Sequence, residues 1–232
     1  LESLNKEFQQ AQQEKNETRM AELAGHRAKV SGYLVDHVAK STNPKLRELL
    51  PKYRMFEAGA LQQAAVLEKD PNKRKGYLTD ALTIFQAALK TSPEDKGIIL
   101  NIAFVQDDLG DWAAAQPVLV KFLSEGWLGK PKAIVSGPEG QRLIDNHQYW
   151  EAMHRLLRCN VAMANAKTPG YDHAKLLEET RLKLKQLYIQ WGQPGGARWS
   201  PKFESLRQEI LPDWTPPKLG TSADSTTRPA LP

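Results

Sequence analysis

Two histidines and one cysteine are the residues of this sequence best able to bind a metal ion. His147 and His154 are seven residues apart, so they share one face of a helix, with Glu151 between them. Zinc-binding helices space their histidines four residues apart, and the single thiol, Cys159, excludes a site that needs two thiolates. The sequence therefore predicts no metal site, and we interpret Cys159 as a small core residue.

The glycine-rich and serine-containing segments show no catalytic pattern either. Residues 192–196 contain three glycines, but they follow a helical pattern rather than a strand, which indicates a turn instead of a phosphate-binding loop. Ser136-Gly137-Pro138 lacks the pattern of a nucleophile elbow. We therefore expect a protein that is not an enzyme and that has no cofactor.

Three tryptophans near the carboxyl end lie among basic residues. They are Trp191, Trp199 and Trp214, and the basic residues beside them are Arg198, Lys202 and Arg207. Such a mixture can stack the bases of a single-stranded nucleic acid. We favour the interpretation that the tryptophans close the last helical pair and anchor the tail of the chain.

The charge distribution leaves the nucleic-acid interpretation open as an alternative. The chain has a formal net charge of +5 and a pI of about 9.2, and the whole excess lies from residue 121 onward. No run of five basic residues occurs, so an ordinary solvated surface is the interpretation that we favour. Nucleic acid is therefore an unlikely partner, and no stretch is apolar enough to span a membrane.

Helical periodicity covers most of the chain. Leu4, Phe8 and Ala11 form a narrow apolar stripe that predicts a projecting helical arm over residues 1–43, ended by the sequence before Pro44. Further helices are predicted at residues 53–67, 77–90, 94–109, 111–124, 141–166, 172–191 and 201–210. Residues 126–140 are predicted as a loop, and almost no sheet is expected. The predicted fold class is all-α.

The last segment, residues 212–232, has the composition of an extended or disordered tail. It contains five prolines and several serines and threonines, with Trp214 as its one large aromatic residue. We expect this tail to lie extended across another subunit of an assembly.

A repeat is the most informative pattern in the sequence. Ala81, Phe85 and Ala88 recur 34 residues later as Ala115, Leu119 and Phe122, and a third set follows as Ala152, Leu156 and Cys159. A small residue at the start of each set allows two helices to cross closely, and the larger residues fill the next interface. A period of about 34 residues is typical of helical-hairpin repeats.

Over residues 53–123 the chain resembles tetratricopeptide repeat (TPR) proteins, in a degenerate form. Ala81, Phe85, Ala88 and Pro93 match one repeat, and Gly110-Asp111-Trp112 matches the start of the next second helix. The resemblance implies stacked antiparallel helix hairpins over residues 44–211. Departures are expected at residues 70–76, where the turn is too long, and after Pro194, where the last hairpin loses its second helix.

The resemblance also implies a concave surface that binds peptides or other protein chains. In the best repeat, the positions that face this groove are Gly97, Leu100, Asn101, Phe104 and Asp108. The function that we expect is a non-catalytic scaffold or accessory subunit of a larger assembly, whose partners are other protein subunits. The alternatives are a helical nucleic-acid-binding protein and the regulatory TPR region of a larger enzyme. Because the sequence begins with Leu1, we expect either a removed leader or a longer parent chain, and no compartment is assigned.

Overall fold

The computed structural model describes residues 2–137 and 140–217, and this part of the chain is predominantly helical. Two compact units are present, Leu1–Val118 and Leu119–Pro232, and each is described by itself. The helices of the first unit are α1 (Glu2–Gln13), α2 (Glu17–Ala39), α3 (Pro44–Arg47), α4 (Leu50–Leu67), α5 (Pro71–Thr91) and α6 (Lys96–Leu109). Helix α7 (Trp112–Ser124) contains the boundary. The second unit adds β1 (Lys132–Gly137), β2 (Gly140–Asp145), α8 (His147–Asn165), α9 (His173–Trp191) and α10 (Gly196–Ile210).

Local capping determines where many of these helices begin. The side-chain oxygens that accept a backbone N–H at a helix start belong to Asn16, Asn43, Asp70, Asp95, Asn146 and Asp172. Each satisfies at least one of the amides that have no partner within the first turn. Helix α6 ends at Gly110, which adopts the left-handed conformation with φ of +83°. The predicted helix starting at Asp172 and the predicted end at Gly110 are thus confirmed.

In the first unit, helices pack mainly on their neighbours in the chain. Helix α1 packs on α2, α2 on α4, α4 on α5, and α5 on α6. The apolar stripe of α1 is part of the resulting core, because Phe8 and Ala11 are buried there. The prediction that residues 1–43 project as an arm is therefore corrected: their helices are packed into the first unit. The narrow apolar stripe of α1 is covered by α2.

Small side chains allow α2 and α4 to approach closely. Ala24 and Ala58 are completely buried, and Ala28 and Ala65 are almost so. Because alanine adds little bulk and favours the helix, rows of alanine bring two helix backbones together at little conformational cost. Gly25 and Gly32 both lie within the continuous helix α2.

Helix α5 begins earlier than the sequence pattern indicated. It starts at Pro71 rather than near Tyr77, because Pro71 occupies the first helical position and Asp70 accepts the amides of Asn72 and Lys73. The connection from α4, which ends at Leu67, is therefore short. The expectation of a long internal turn over residues 70–76 is wrong.

Residues 132–137 and 140–145 correct another expectation, since they form two paired strands where a loop over 126–140 and the start of a helix at 141 were predicted. Strands β1 and β2 pair antiparallel, with Lys132 opposite Asp145 and Gly137 opposite Gly140. Ile134, Val135 and Ile144 favour strands, and the glycines at 137 and 140 between two such runs are a hairpin signal. Helix α8 consequently begins at His147, later than predicted, with Asn146 as its cap.

Helix α10 supplies the second helix of the last pair, which the sequence analysis had expected to be lost. It begins at Gly196 and continues through Pro201 to Ile210. A proline inside a helix removes one backbone hydrogen bond. Burial of Trp199 and Phe203 on the same helix offsets that cost.

The second unit is a three-helix arrangement in which α8 packs on α9 and α10 packs on both. The end of α10 is fixed by Arg207, which forms an ion pair with Glu204 and donates to the backbone oxygens of Leu211 and Trp214. The start of the predicted tail, at residues 212–214, is therefore held next to α10. The remaining tail, residues 218–232, lies outside the described residues. Within the described ranges, no helix combines the length and apolar character needed to cross a membrane.

The alanines at the start of each repeat set test how tightly the helices pack. Ala81, Ala115 and Ala152 are all completely buried, as the sequence analysis predicted. We expect Ala115→Leu to lower the free energy of unfolding by about 1–3 kcal/mol, because the added carbons overfill a closed contact. Denaturant unfolding measures the effect, and Ala113→Leu, at an exposed position of α7, is the matched control. Equal stability of the two variants would contradict close packing at Ala115.

Candidate functional site: an aromatic cluster with a basic rim

The five predicted groove residues of α6 differ in their exposure. Leu100 and Phe104 are only 3% and 5% exposed, so a docking partner does not reach their side chains in this structure. Both apolar side chains belong to the interior, because they lie on the buried face of α6. Gly97 is exposed, and Asn101 and Asp108 are half-buried. A partner-binding role for these three residues stays a prediction.

The three tryptophans proposed from the sequence as a tail anchor occupy two places in the second unit. Trp191 lies against Trp150, with ring centroids 5.8 Å apart, and Trp199 is buried on the neighbouring helix α10. Trp214 instead packs on Tyr188, at 5.9 Å. The first two therefore help to close the last helical pair, and Trp214 holds the chain just after α10.

Trp150 is the centre of an aromatic cluster, which we define as Trp150, His154, Trp191, Trp199 and Phe203. Trp150 is completely buried and meets Phe203 edge to face at 5.8 Å, with an angle of 82° between the rings. His154 meets Phe203 at 5.4 Å in the same geometry and lies 6.0 Å from Trp199. Edge-to-face contacts of this kind are the favoured arrangement of aromatic rings.

A glycine turn between α9 and α10 makes room for this cluster. Gly195 and Gly196 adopt φ values of +74° and +61°, which residues with a Cβ atom rarely adopt. A Cβ atom on Gly195 would overlap Trp199 and stand 3.1 Å from Cγ of Trp150. A Cβ atom on Gly196 would overlap the carboxylate of Asp145. The turn predicted from the sequence therefore brings the start of α10 against Trp150 and Asp145.

Four basic side chains from two helices border the cluster, and we call them the basic rim: Arg155, Arg158, Arg198 and Lys202. The ammonium group of Lys202 lies 4.2 Å from the centre of the Trp199 ring, and the guanidinium carbon of Arg198 lies 5.9 Å from the same ring. Such cation–ring contacts stabilise the charged groups at a partly desolvated surface. The arrangement concentrates positive charge above the cluster.

The pKa of Lys202 is lowered by its surroundings. Partial burial is the largest cause that lowers the pKa of Lys202, and repulsion by Arg155, Arg198 and Arg158 acts in the same direction. Glu151 acts in the opposite direction by attraction. The basic groups of the rim are therefore close enough to influence one another.

His154 is neutral in this environment at neutral pH. Burial lowers the pKa of His154 to about 4, and the charges of Arg158, Lys202 and Arg155 add to the effect. A hydrogen bond with the backbone of Lys202 opposes the shift. The positive charge at the site thus comes from lysine and arginine, which bind carboxylate or phosphate groups without a proton transfer.

The first unit contains a second candidate surface, an open cleft of about 670 Å³ between α2, the end of α4 and the start of α5. The apolar part of its lining includes Met20, Leu67 and Tyr77. Val66 also lines the cleft, and its side chain is 63% exposed. We call this surface the α2 cleft. The spacing of the repeat does not predict the α2 cleft, because the cleft is formed by helices that are neighbours in space.

The described residues contain no group of three His, Cys, Asp or Glu side chains that could hold a metal ion. His147 is exposed, whereas the ring of His154 packs on Phe203 within the aromatic cluster. The two histidines therefore have different surroundings, although their spacing predicts one shared helix face. Sequence reasoning did not predict the contacts of His154 and Lys202 with Trp199.

No family model, curated protein or solved structure matches the chain.

Proposed function

We propose that this protein is a non-catalytic scaffold, an accessory subunit that binds a segment of another protein chain through helical surfaces of its first unit. The observation that carries the proposal is the α2 cleft, an open and partly apolar channel beside the exposed side chain of Val66. Exposed apolar surface bordered by polar residues is typical of protein interaction sites.

The packing of the first unit supports a TPR-like arrangement of stacked antiparallel hairpins. Helix α4 packs on α5 and α5 packs on α6, and the short connection between Leu67 and Pro71 favours antiparallel helices. Ala81 and Ala115 occupy equivalent positions in the repeat, and both are buried. Helices α4 and α6 begin farther apart than the period of about 34 residues of a regular TPR, so we propose an irregular form.

The lining of the α2 cleft indicates the kind of segment that it accepts. Around its apolar floor stand charged residues of both signs, which are Glu17, Glu22, Glu68, Lys29 and Lys69. An apolar floor with a mixed polar border suits an amphipathic helix, whose apolar face enters the channel while its charged residues meet the border. We therefore propose an amphipathic helical segment of a partner protein as the occupant.

A charge placed in the α2 cleft tests this function. We expect Val66→Glu to reduce partner capture at least about tenfold, because a buried carboxylate in an apolar contact carries a desolvation cost of several kcal/mol. Captured proteins are quantified by mass spectrometry after a pull-down with each variant, and the captured chain is then bound in purified form. The matched control is Tyr33→Glu, since Tyr33 is a 75% exposed apolar residue of α2 outside the cleft. Equal binding by both variants would contradict the proposal.

A further inference from the structure

The basic rim arranges like charges in two rows. Arg198 and Lys202 are four residues apart on α10, and Arg155 and Arg158 are three apart on α8, so each pair lies on one helix face. Like charges at this spacing destabilise a helix slightly when no anion is near. Both rows adjoin the aromatic cluster: Arg198 and Lys202 contact the Trp199 ring, and Arg155 and Arg158 are close enough to repel the charge of Lys202.

Two of these side chains, Arg198 and Lys202, are exposed, and Arg158 is half-buried. The side chain of Arg155 is only 11% exposed and forms an ion pair with Glu151 at 3.2 Å, which balances its charge. The surface charge that an approaching molecule meets is therefore mainly that of Arg198 and Lys202.

The geometry distinguishes between two classes of anionic partner. Single-stranded nucleic acid binds by stacking its bases on open aromatic rings. Here Trp199 is only 3% exposed, and the ammonium group of Lys202 lies over its ring. No open ring face is offered beside these charges, whereas carboxylates need only the cations. Charge complementarity with an acidic protein segment therefore fits the surface better.

We propose that the basic rim binds an acidic segment of a partner protein, a run of aspartate and glutamate side chains that pairs with Arg198 and Lys202. This inference rests on the proposed scaffold function and names the chemistry of a second contact. The guanidinium group of Arg198 binds a carboxylate in a two-point geometry, and Lys202 adds a point charge. Binding is expected to weaken with salt, because exposed charge pairs are screened within about 10 Å at 0.1 M ionic strength.

The test uses the full chain and a fluorescein-labelled decaglutamate peptide, with binding followed by fluorescence anisotropy. We expect salt-sensitive binding that the double variant R198E/K202E weakens about tenfold, in line with the loss of two surface ion pairs. The matched control is K175E/K183E, which changes the net charge equally on α9, where both lysines are exposed. The charge-neutral variant R198Q/K202Q, expected to weaken binding severalfold, provides a second measurement if charge reversal disturbs the fold.

Each outcome of this test decides the inference. Specific loss with the rim variants and retained binding with the control would support it. Equal loss with both double variants, or no binding by the wild-type chain, would overturn it. Tighter binding of a ten-residue oligothymidine, lost with the same rim variants, would assign the rim to nucleic acid instead. The α2 cleft is tested by Val66→Glu in the other unit, so failure at the rim is distinguishable from failure of the scaffold function.

Discussion

Replacing Trp150 with alanine is expected to lower the free energy of unfolding of the second unit by about 3–5 kcal/mol. The indole is completely buried and contacts the rings of Trp191 and Phe203 edge to face. Its removal leaves a cavity between α8 and α10 that neighbouring side chains cannot fill, because Gly195 and Gly196 already fix the backbone beside it. The lost apolar burial and the cavity both contribute to the effect.

Denaturant unfolding followed by circular dichroism, with hydrogen exchange at the amides of α8 and α10, measures the effect in the correct unit. Leu182→Ala is the control, because Leu182 is 50% exposed on α9 and its truncation is expected to change stability by less than about 0.5 kcal/mol. Trp150→Phe keeps an aromatic ring and is expected to cost less than Trp150→Ala. A Trp150→Ala protein as stable as the Leu182→Ala protein would show that the aromatic cluster does not stabilise the second unit.

Acidification is expected to destabilise the second unit through His154. The pKa of His154 is about 4 in the folded chain and about 6.5 when exposed. Between these values the unfolded chain binds a proton that the folded chain does not, so the free energy of unfolding falls as the pH falls. The contribution is fully present above pH 6.5 and is lost towards pH 4, by roughly 3 kcal/mol.

The comparison of variants isolates this contribution from other groups that titrate in the same range. His154→Gln should unfold with a shallower pH dependence between pH 7 and pH 4, because glutamine binds no proton. His147→Gln, which removes an exposed histidine of the same helix, is the matched control. Parallel profiles for the wild-type and His154→Gln proteins would contradict the assignment. Chemical denaturation at pH 7, 6, 5 and 4 provides the measurement.

The two candidate surfaces belong to different units and differ in their chemistry. The α2 cleft offers apolar surface bordered by charges of both signs, whereas the basic rim offers cations around a buried ring. A partner that engages both surfaces needs an amphipathic helix and an acidic segment. Linking two modest contacts in one chain raises the overall affinity without any further contact, provided that the linker spans both sites.

Local signals in the sequence predicted the helical class and several helix ends correctly. Gly110 ends α6 and Asp172 caps α9, because a left-handed glycine and a short acidic side chain act within one helical turn. The buried alanines Ala81, Ala115 and Ala152 were also predicted, since their spacing repeats along the chain. Interactions between near neighbours in sequence are those that a sequence pattern can represent.

Prediction failed where a local signal has two possible outcomes. Pro71 starts α5, although a long turn was predicted over residues 70–76, and Pro201 lies inside α10, although the predicted helix began there. The glycines at 126–140 likewise suggested a loop, whereas residues 132–145 pair as a hairpin. Backbone pairing and the burial of Trp199 and Phe203 decide these cases, and both depend on contacts between distant residues.

By itself, the sequence determined a predominantly helical chain with repeated small residues, and it suggested α6 as a binding surface. Only the tertiary structure decided that Leu100 and Phe104 are buried, that the α2 cleft is open, and that Arg198 and Lys202 flank one ring. The low pKa of His154 likewise arises from burial and from charges on two helices. These properties depend on distances in space between residues far apart in sequence, and the periodicity of a single helix contains no information about them.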